Sequence, residues 1–428
     1  MISTVWRPIA LWAGLIAAAA VVGLPIRHQV KVGAPPLTGG LNVPFLPMVP
    51  VVLLLGWWLV RRVPGWCDSL SWRRVLLLAA LVAVGWGAAL ALVRGPSGLD
   101  RGLSTRFEYP AVVAEVDKVG IGPFIDSFTD PEVLHRYPIH IQGHPLGAAL
   151  VFIGLDRVGL GGPTGAAAFL LVAGATTVPA VLLSVREVAG ELRARQAAPF
   201  LALAPMAIWT VSSADALFAA VGAWAVTCLV LASSPSRSST RRAVLAVAGG
   251  VLFGIGVNLS YGLALLVLVP IGVLVVRRQW SVLAGAALGG SAVLAAFAGI
   301  GFWWFDGLAA TRVRYAAGVA SRRPYVYFAF LGNPAALAVA LGPAAAVALA
   351  RVRDRKLWLL AGGGIAAVAL ADLTGLSKAE VERIWLPFMP WVLVLTAGLV
   401  DVAGLAATML WLQVVVAVVA ESFVRTLW

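Results

Sequence analysis

Four groups of residues in this 428-residue chain carry side chains able to do chemistry. The first is acidic: Asp100, Glu108, Glu115 and Asp117 fall in one polar stretch. A carboxylate there can act as general base on an attacking hydroxyl if it comes within hydrogen-bond reach. The plainer reading is a solvated loop helix, since Glu108 and Tyr109 open an apparent short helix that runs to Val119. The second group runs Arg136-Tyr137-Pro138-Ile139-His140-Ile141-Gln142-Gly143-His144-Pro145-Leu146-Gly147. His140 precedes a loop rather than sharing a helix face with His144, so a zinc pair fits poorly. Hydrogen bonds to a phosphate or a sugar suit the two histidines better, against the plainer reading of a structural turn. Pro145 suits the first position of a following helix.

The third group is Ser377-Lys378-Ala379-Glu380-Val381-Glu382-Arg383, which ends at an apolar run containing Pro387 and Pro390. Arg383 at the mouth of that run has the fork that grips phosphate in two places, and Lys378 adds a second positive charge. Simple interfacial anchoring, with Trp385 in an aromatic belt, competes with that reading. The fourth group is Ser212-Ser213-Ala214-Asp215, a polar turn between two apolar runs. Asp215 is either functional or a cap for the helix that follows. Asp306, after Trp303-Trp304, and the pair Arg322-Arg323 are weaker signals.

The elements that position these groups are set by composition. Hydrophobic residues make up 61% of the chain and charged ones only 12%, where a soluble chain carries about 25%. Many apolar runs approach the ~20 residues that cross ~30 Å of hydrocarbon as a helix. They are continuous rather than alternating, which disfavours a β-barrel. Spans are expected near 8–25, 47–61, 73–93, 163–184, 198–212, 216–232, 243–259, 261–276, 281–302, 325–350, 357–372, 385–400 and 404–420, thirteen in all. The chain is thus expected to be one all-α polytopic transmembrane domain over 1–428. The apolar start from Ile9 to Gly23 has no convincing cleavage site and reads as a first span.

The net charge of +13 does not point to nucleic acid, because no basic face with interleaved aromatics exists. The Arg residues cluster in short loops instead. Arg7, Arg61, Arg62, Arg73, Arg74, Arg186, Arg193, Arg195, Arg237, Arg241, Arg242, Arg277, Arg278, Arg351, Arg353, Arg355 and Lys356 all fall on one side of the expected topology. The positive-inside rule makes that side, with the N-terminus, cytoplasmic. The run 146–158 is too short to span and is expected to lie as an amphipathic helix on the outer surface. The segment 94–162 is then a large outer loop with interfacial helices, and a loop of that length is usually functional. It holds three of the four histidines within ten residues. Smaller outer loops are 26–46, 303–324 and 373–384. Cys67 and Cys228 show neither disulfide nor metal spacing. The inner loops are too short for a nucleotide-binding domain, so a donor substrate must arrive from the membrane.

With those residues in view, the chain resembles the polytopic glycosyltransferases of the C superfamily, which use polyprenyl-phosphate sugars. Three features carry the resemblance: the acidic first large outer loop, Asp100 to Asp117; the turn His144-Pro145-Leu146-Gly147, similar to the His-Pro-Pro-Leu or Lys-Pro-Pro-Leu turn of protein mannosyltransferase and aminoarabinose transferase relatives; and the late Glu382-Arg383 leading into Leu386-Pro387 and Pro390. The run Ser213 to Ala219 also looks like a turn of some relatives. The family's Asp-Glu pair soon after the first span is not intact here, and two extra spans precede the acidic loop. The Ala, Gly, Val and Arg bias, with little Lys, suggests a high-GC bacterium, and the resemblance implies an actinobacterial branch of the family.

The resemblance implies an inverting transferase in the cell membrane, working on its extracytoplasmic face. Glu108, or else Asp100, would be the catalytic base. Lys378, Glu382, Arg383, His140, His144 and Asp215 would contact a polyprenyl-phosphate sugar, with the phosphate near Arg383, Lys378 and His144. The acceptor would be a cell-envelope glycan, glycolipid or protein, and membrane lipids the other partners. No metal or other cofactor is required when Arg and Lys hold the leaving phosphate, though some relatives use a divalent ion. The alternative is a polytopic transporter or lipid flippase. It is disfavoured because such proteins place ionisable groups near the midplane and repeat their halves, whereas here the polar residues gather on one face.

Overall fold

The structure is a computed structural model that describes residues 3–426 apart from 43, 45, 402 and 403. Inside a bilayer an apolar run has no water for its backbone, and a helix closes its hydrogen bonds within one segment. Eight helices of the described residues are long and apolar enough to cross: Val5–Gly23, Trp72–Arg94, Pro163–Ala189, Asp215–Ala232, Ser239–Leu259, Trp280–Gly299, Arg355–Leu373 and Leu405–Phe423. A ninth, Tyr325–Leu341 with Pro343–Arg351, is bent by 98°. The protein is an all-α, multi-pass membrane protein. Among the described residues, the strands are Gly40–Leu41 and Val424–Arg425, paired antiparallel.

Four of the thirteen expected spans are not long apolar helices. The run 198–212 breaks after Ala202, and Pro205, which has no N–H to continue a helix, opens a 3-10 turn over Pro205–Trp209. The run 385–400 becomes the short helix Met389–Leu393 followed by tight 3-10 winding over Val394–Asp401. The run 261–276 likewise starts as 3-10 winding before the helix Leu268–Arg277. The helix Val49–Ser69 carries Arg61, Arg62, Pro64 and Asp68 in its second half. The segment 146–157 is one helix, Leu146–Arg157, but it packs into the bundle instead of lying on it: Leu146, Gly147, Ala148, Ala149, Phe152, Ile153 and Leu155 are all buried.

The loops sort to two ends. At one end Arg195 donates to the carbonyls of Cys67 and Leu70, Arg193 pairs with Asp354 and Asp401, and Arg237 and Arg277 both pair with Glu187. The helices Trp72–Arg94, Pro163–Ala189 and Arg355–Leu373 each join this basic end to the other. There Arg94 pairs with buried Glu421, Thr164 donates to Asp100 and Asn333 donates to Asp372.

Lipid tails supply no hydrophobic drive between helices, so close backbone approach must. The helices Ser239–Leu259 and Trp280–Gly299 achieve it through glycine. A Cβ on Gly250 would run into the Ala286 carbonyl oxygen, and one on Gly289 into that of Val247. Gly289→Val should therefore push the two helices apart at a cost of about 1–3 kcal/mol, read as a lower midpoint of unfolding in detergent. An unchanged midpoint would mean that the two helices do not rely on this contact.

Candidate functional site

Asp215 is the first residue of its helix, and the turn before it sets its carboxylate. The Asp215 N–H donates to Ser213 Oγ at 3.2 Å, and the Ser213 hydroxyl donates back to Asp215 Oδ2 at 2.8 Å. Ser213 thus closes a tight turn ahead of the helix, whose N-cap position is Ala214, and the Asp215 carboxylate has a second partner. That partner is Arg383, whose Nη1 lies 2.6 Å from Asp215 Oδ2 across 168 residues of sequence. The other arm of the fork, Nη2, donates to Glu380 Oε2 at 2.6 Å and to His140 Nδ1 at 3.3 Å. Arg383 is only 4% exposed and Asp215 3%, so this is a buried charge held between two carboxylates. Burial opposes the guanidinium's charge, but Asp215 and Glu380 outweigh it and raise its affinity for the proton. Glu380 in turn is raised by burial yet held below the usual carboxylate range by Arg383 and His140.

The contact to Arg383 decides the His140 tautomer. A guanidinium only donates, so Nδ1 must accept and the ring proton sits on Nε2. That Nε2 lies 3.1 Å from Glu108 Oε1. A continuous chain results: Asp215, Arg383, His140, Glu108. Backbone geometry fixes its far end, because the His140 N–H donates at 3.3 Å to the carbonyl of Phe107, next to Glu108.

Tyr109 stacks on His140 at 6.0 Å between ring centres and on Phe152 at 4.9 Å, and His144 meets it edge-on at 5.5 Å. The Tyr109 hydroxyl is buried with no hydrogen-bond partner among the described residues. Burial, then Asp215, pushes its pKa well up, so it stays a neutral phenol. His144 Nδ1 lies 2.8 Å from the His140 carbonyl and donates to it. Burial pulls the His144 pKa down to about 4 against the opposing charge of Asp215, so the ring is neutral at pH 7. Pro145 sits just before the first helical residue, Leu146, rather than at it.

The loop before Arg383 is strained. Ala379 and Glu380 both adopt left-handed backbone, with φ of 72° and 63°. Each such residue costs on the order of 1–3 kcal/mol and persists only where its surroundings hold it. Here Asn333, buried, accepts from the Ala379 N–H at 3.2 Å and donates to the Ser377 carbonyl at 2.6 Å. Thr38 Oγ1 accepts from the Glu380 N–H at 3.0 Å. The Thr38 N–H donates to Glu382 Oε1 at 2.7 Å, so Glu382 faces away from Arg383 and ties the loop to the segment around residue 38. Its Oε2 has no partner among the described residues.

Burial raises the Glu382 carboxyl to about 7, against the pull of the Thr38 N–H. The folded protein therefore keeps a proton there that the unfolded chain loses above the ordinary Glu value near 4.3. Stability should fall as pH rises from about 5 to 7 and stay lower above it. Glu382→Gln should flatten that slope and raise the unfolding midpoint at pH 8. Equal slopes in the two proteins would show that another group titrates.

Of the residues singled out from the sequence, Glu108, His140, His144, Asp215 and Arg383 come together. Asp100 is placed elsewhere, its carboxylate accepting from Thr164 Oγ1 at 2.5 Å. Lys378 spends two donors on the carbonyls of Ser321 and Arg323, at 2.7 and 3.1 Å. Arg314, which sequence reasoning missed, reaches the site from the helix Trp304–Ala317. Its Nε donates to Gln142 Oε1 at 2.8 Å, and Gln142 is anchored by its own Nε2 to the carbonyls of His135 and Tyr137. Glu380 is near enough to act on the Arg314 charge. No hydrogen bond engages the two Nη groups of Arg314 among the described residues. No group of three or more His, Cys, Asp or Glu among the described residues is arranged to hold a metal ion.

No family model matches the chain, and no curated protein matches it. Two solved structures are similar to it. One is ArnT from Cupriavidus metallidurans bound to undecaprenyl phosphate, with a TM-score of 0.49 and 18% identity over 76% of this chain. The other is ArnT from the same organism in the apo state, with a TM-score of 0.48 and 19% identity over 76% of this chain. The chain spans 60% of the length of each.

Chemically, the site sets the Glu108 carboxylate against the ring of His140. Glu108 is 6% exposed and receives a ring N–H from His140. Its remaining lone pairs are available to a hydroxyl. The rim, formed by His140, Glu380 and Arg314, is more open than the floor formed by Arg383 and Asp215.

Proposed function

We propose that this protein is a membrane glycosyltransferase that moves a sugar from a polyprenyl-phosphate donor to a cell-envelope acceptor. The observation that carries the reading is the Glu108–His140–Arg383–Asp215 chain at the end of the bundle opposite the basic loops. It sets one carboxylate, Glu108, at that end, and the fork of Arg314 is held nearby by Gln142. Glu108 takes the proton from the acceptor hydroxyl. The acceptor oxygen forms a bond to the sugar's anomeric carbon while the bond from that carbon to the phosphate oxygen breaks. The electron pair leaves with the polyprenyl phosphate, and the anomeric configuration inverts.

Positive charge near the departing phosphate lowers the barrier by meeting charge as it develops. Arg314 is suited to direct contact, because its fork is open and Gln142 fixes its angle. Arg383 acts from beneath, held by Asp215 and Glu380, and Lys378 adds its charge from the adjoining loop. The cytoplasmic placement of the basic end is part of the same proposal and puts the site on the outer face.

The test is transfer by purified protein in liposomes, with radiolabelled polyprenyl-phosphate mannose, arabinose, glucose or galactose and an envelope extract as acceptor. Label that becomes covalently attached to acceptor supports the reading. Folded protein that carries labelled lipid or sugar across the bilayer and attaches none of it would replace the reading with transport.

A further inference from the structure

The helix Trp304–Ala317 brings Arg314 to the site, and its opposite side is left exposed. Its two ends fix how it lies. Near its start, Trp304 Nε1 donates to the Val257 carbonyl at 2.8 Å. Near its end, the Tyr315 hydroxyl donates to the Gly375 carbonyl at 2.9 Å. Val257 is close to the end of the span Ser239–Leu259, and the Asn258 carbonyl there packs on Gly147 beside the site. Gly375 just follows the span Arg355–Leu373. Both spans finish here, at the end opposite the basic loops. Trp304 to Tyr315 covers about 16 Å of helix. The helix therefore bridges the ends of two spans and lies across them, continuing neither.

Successive side chains on a helix are about 100° apart. Phe305, Ala309, Val313 and Ala316 therefore share one side, and all four are exposed, Phe305 by 55% and Val313 by 58%. Exposed Arg312 borders this strip on one edge, and exposed Asp306 and Ala317 border it on the other. Arg314 falls about half a turn from Phe305, and its Nε is bonded to Gln142. Gly307 and Ala310 are buried on that same protein side. Just before the helix, Trp303 is exposed, with its ring 5.3 Å from that of Phe305.

We propose that this helix is seated in the bilayer interface, with the strip Phe305, Ala309, Val313 and Ala316 against the acyl chains and Trp303 at the headgroup level. Continuity with an existing lipid face selects the occupant. The helix follows directly on the span Trp280–Gly299, and only 11% of that apolar stretch is buried inside the protein. That span is on the outside of the bundle, and the chain turns from it at Gly301, with φ of 100°, into the strip. An apolar strip at the level of the span ends, edged by charges and led by a tryptophan, is the pattern of a helix lying in the interface. Arg312 keeps its charge among the headgroups while its stem lies on apolar ground. Facing water, the same strip would leave its Phe and Val area uncovered. The seat is a property of the fold and stands whether or not the protein transfers sugar.

The experiment is spin labelling of the full chain in liposomes. Cys228→Ala removes the half-buried cysteine, and Cys67, which is buried, is left in place. Phe305→Cys, Ala309→Cys, Val313→Cys and Ala316→Cys are labelled one at a time, at exposed positions that leave the packing alone. Collision with oxygen, which concentrates in lipid, is compared with collision with a water-soluble nickel chelate. Leu288→Cys, within the outer span and 67% exposed, is the lipid reference. Glu132→Cys, on an exposed polar turn, is the water reference. The ratio of oxygen to nickel collisions at the four positions should shift away from the Glu132 value and toward the Leu288 value. A ratio at the Glu132 level for Phe305 and Val313 would overturn the proposal by placing the strip in water. Little collision with either reagent would overturn it too, by showing that protein, such as a second copy of this chain, covers the strip.

Discussion

Replacing Glu108 by glutamine will cut sugar transfer by roughly 10²–10⁴-fold, the usual contribution of a positioned general base, and leave the fold in place. Glutamine keeps the shape of the side chain and one oxygen to accept from His140 Nε2, now 3.1 Å from the carboxylate. It removes the charge and the basicity. Arg383 still has Asp215 and Glu380, each at 2.6 Å, so the buried cation is not orphaned. The loss should therefore appear in kcat, with a KM for donor close to that of the wild type. Asp100→Asn serves as the contrast. Its carboxylate is held by Thr164, and its substitution should change transfer only a few-fold. If Asp100→Asn abolishes transfer and Glu108→Gln does not, the base has been assigned to the wrong carboxylate.

The second large effect is on stability. Arg383→Met should lower the free energy of unfolding by about 3–5 kcal/mol, because it leaves buried Asp215 and half-buried Glu380 without their cation. The check is a denaturant titration in detergent micelles against the wild type. Arg383→Lys separates charge from geometry. An ammonium is a point charge and cannot hold two carboxylates and a ring nitrogen in one plane. That variant should recover much of the stability but little of the transfer activity. Full activity in Arg383→Lys would remove the orienting contact to His140 from the mechanism.

The class of the fold is legible in the sequence because it follows from a local property. A continuous apolar run must satisfy its own backbone, and it does so wherever in the bundle it lies. Counting spans is not local in the same way. Runs such as 198–212 and 385–400 are as apolar as true spans, but they are interior segments broken at Pro205 and wound tightly after Pro390. Composition does not separate a helix that faces lipid from one wrapped in protein, and the same ambiguity hides the burial of Leu146–Arg157.

The site shows the same division. Asp215 and Arg383 stand out because each flanks an apolar run, and Glu108 and His140 because they fall in the large polar segment 94–162. Glu380 lies in the same charged run as Arg383, yet its role depends on a left-handed turn that no residue type at 379 or 380 advertises. Asn333 and Thr38 hold that turn from far along the chain, and they look like ordinary polar residues in sequence. Arg314 sits in the segment 303–324 among several arginines, and only its bond to Gln142 distinguishes it.

The spacing of the partners also bears on how the protein is made. Asp215 meets Arg383 across 168 residues, and His140 meets it across 243. A chain emerging from the ribosome has inserted the head of the Asp215 helix long before the arginine exists. Through that interval the carboxylate needs water or a chaperone in place of its counter-charge. The site therefore closes only when the last part of the chain arrives, and a product truncated before residue 383 carries unmatched buried acids.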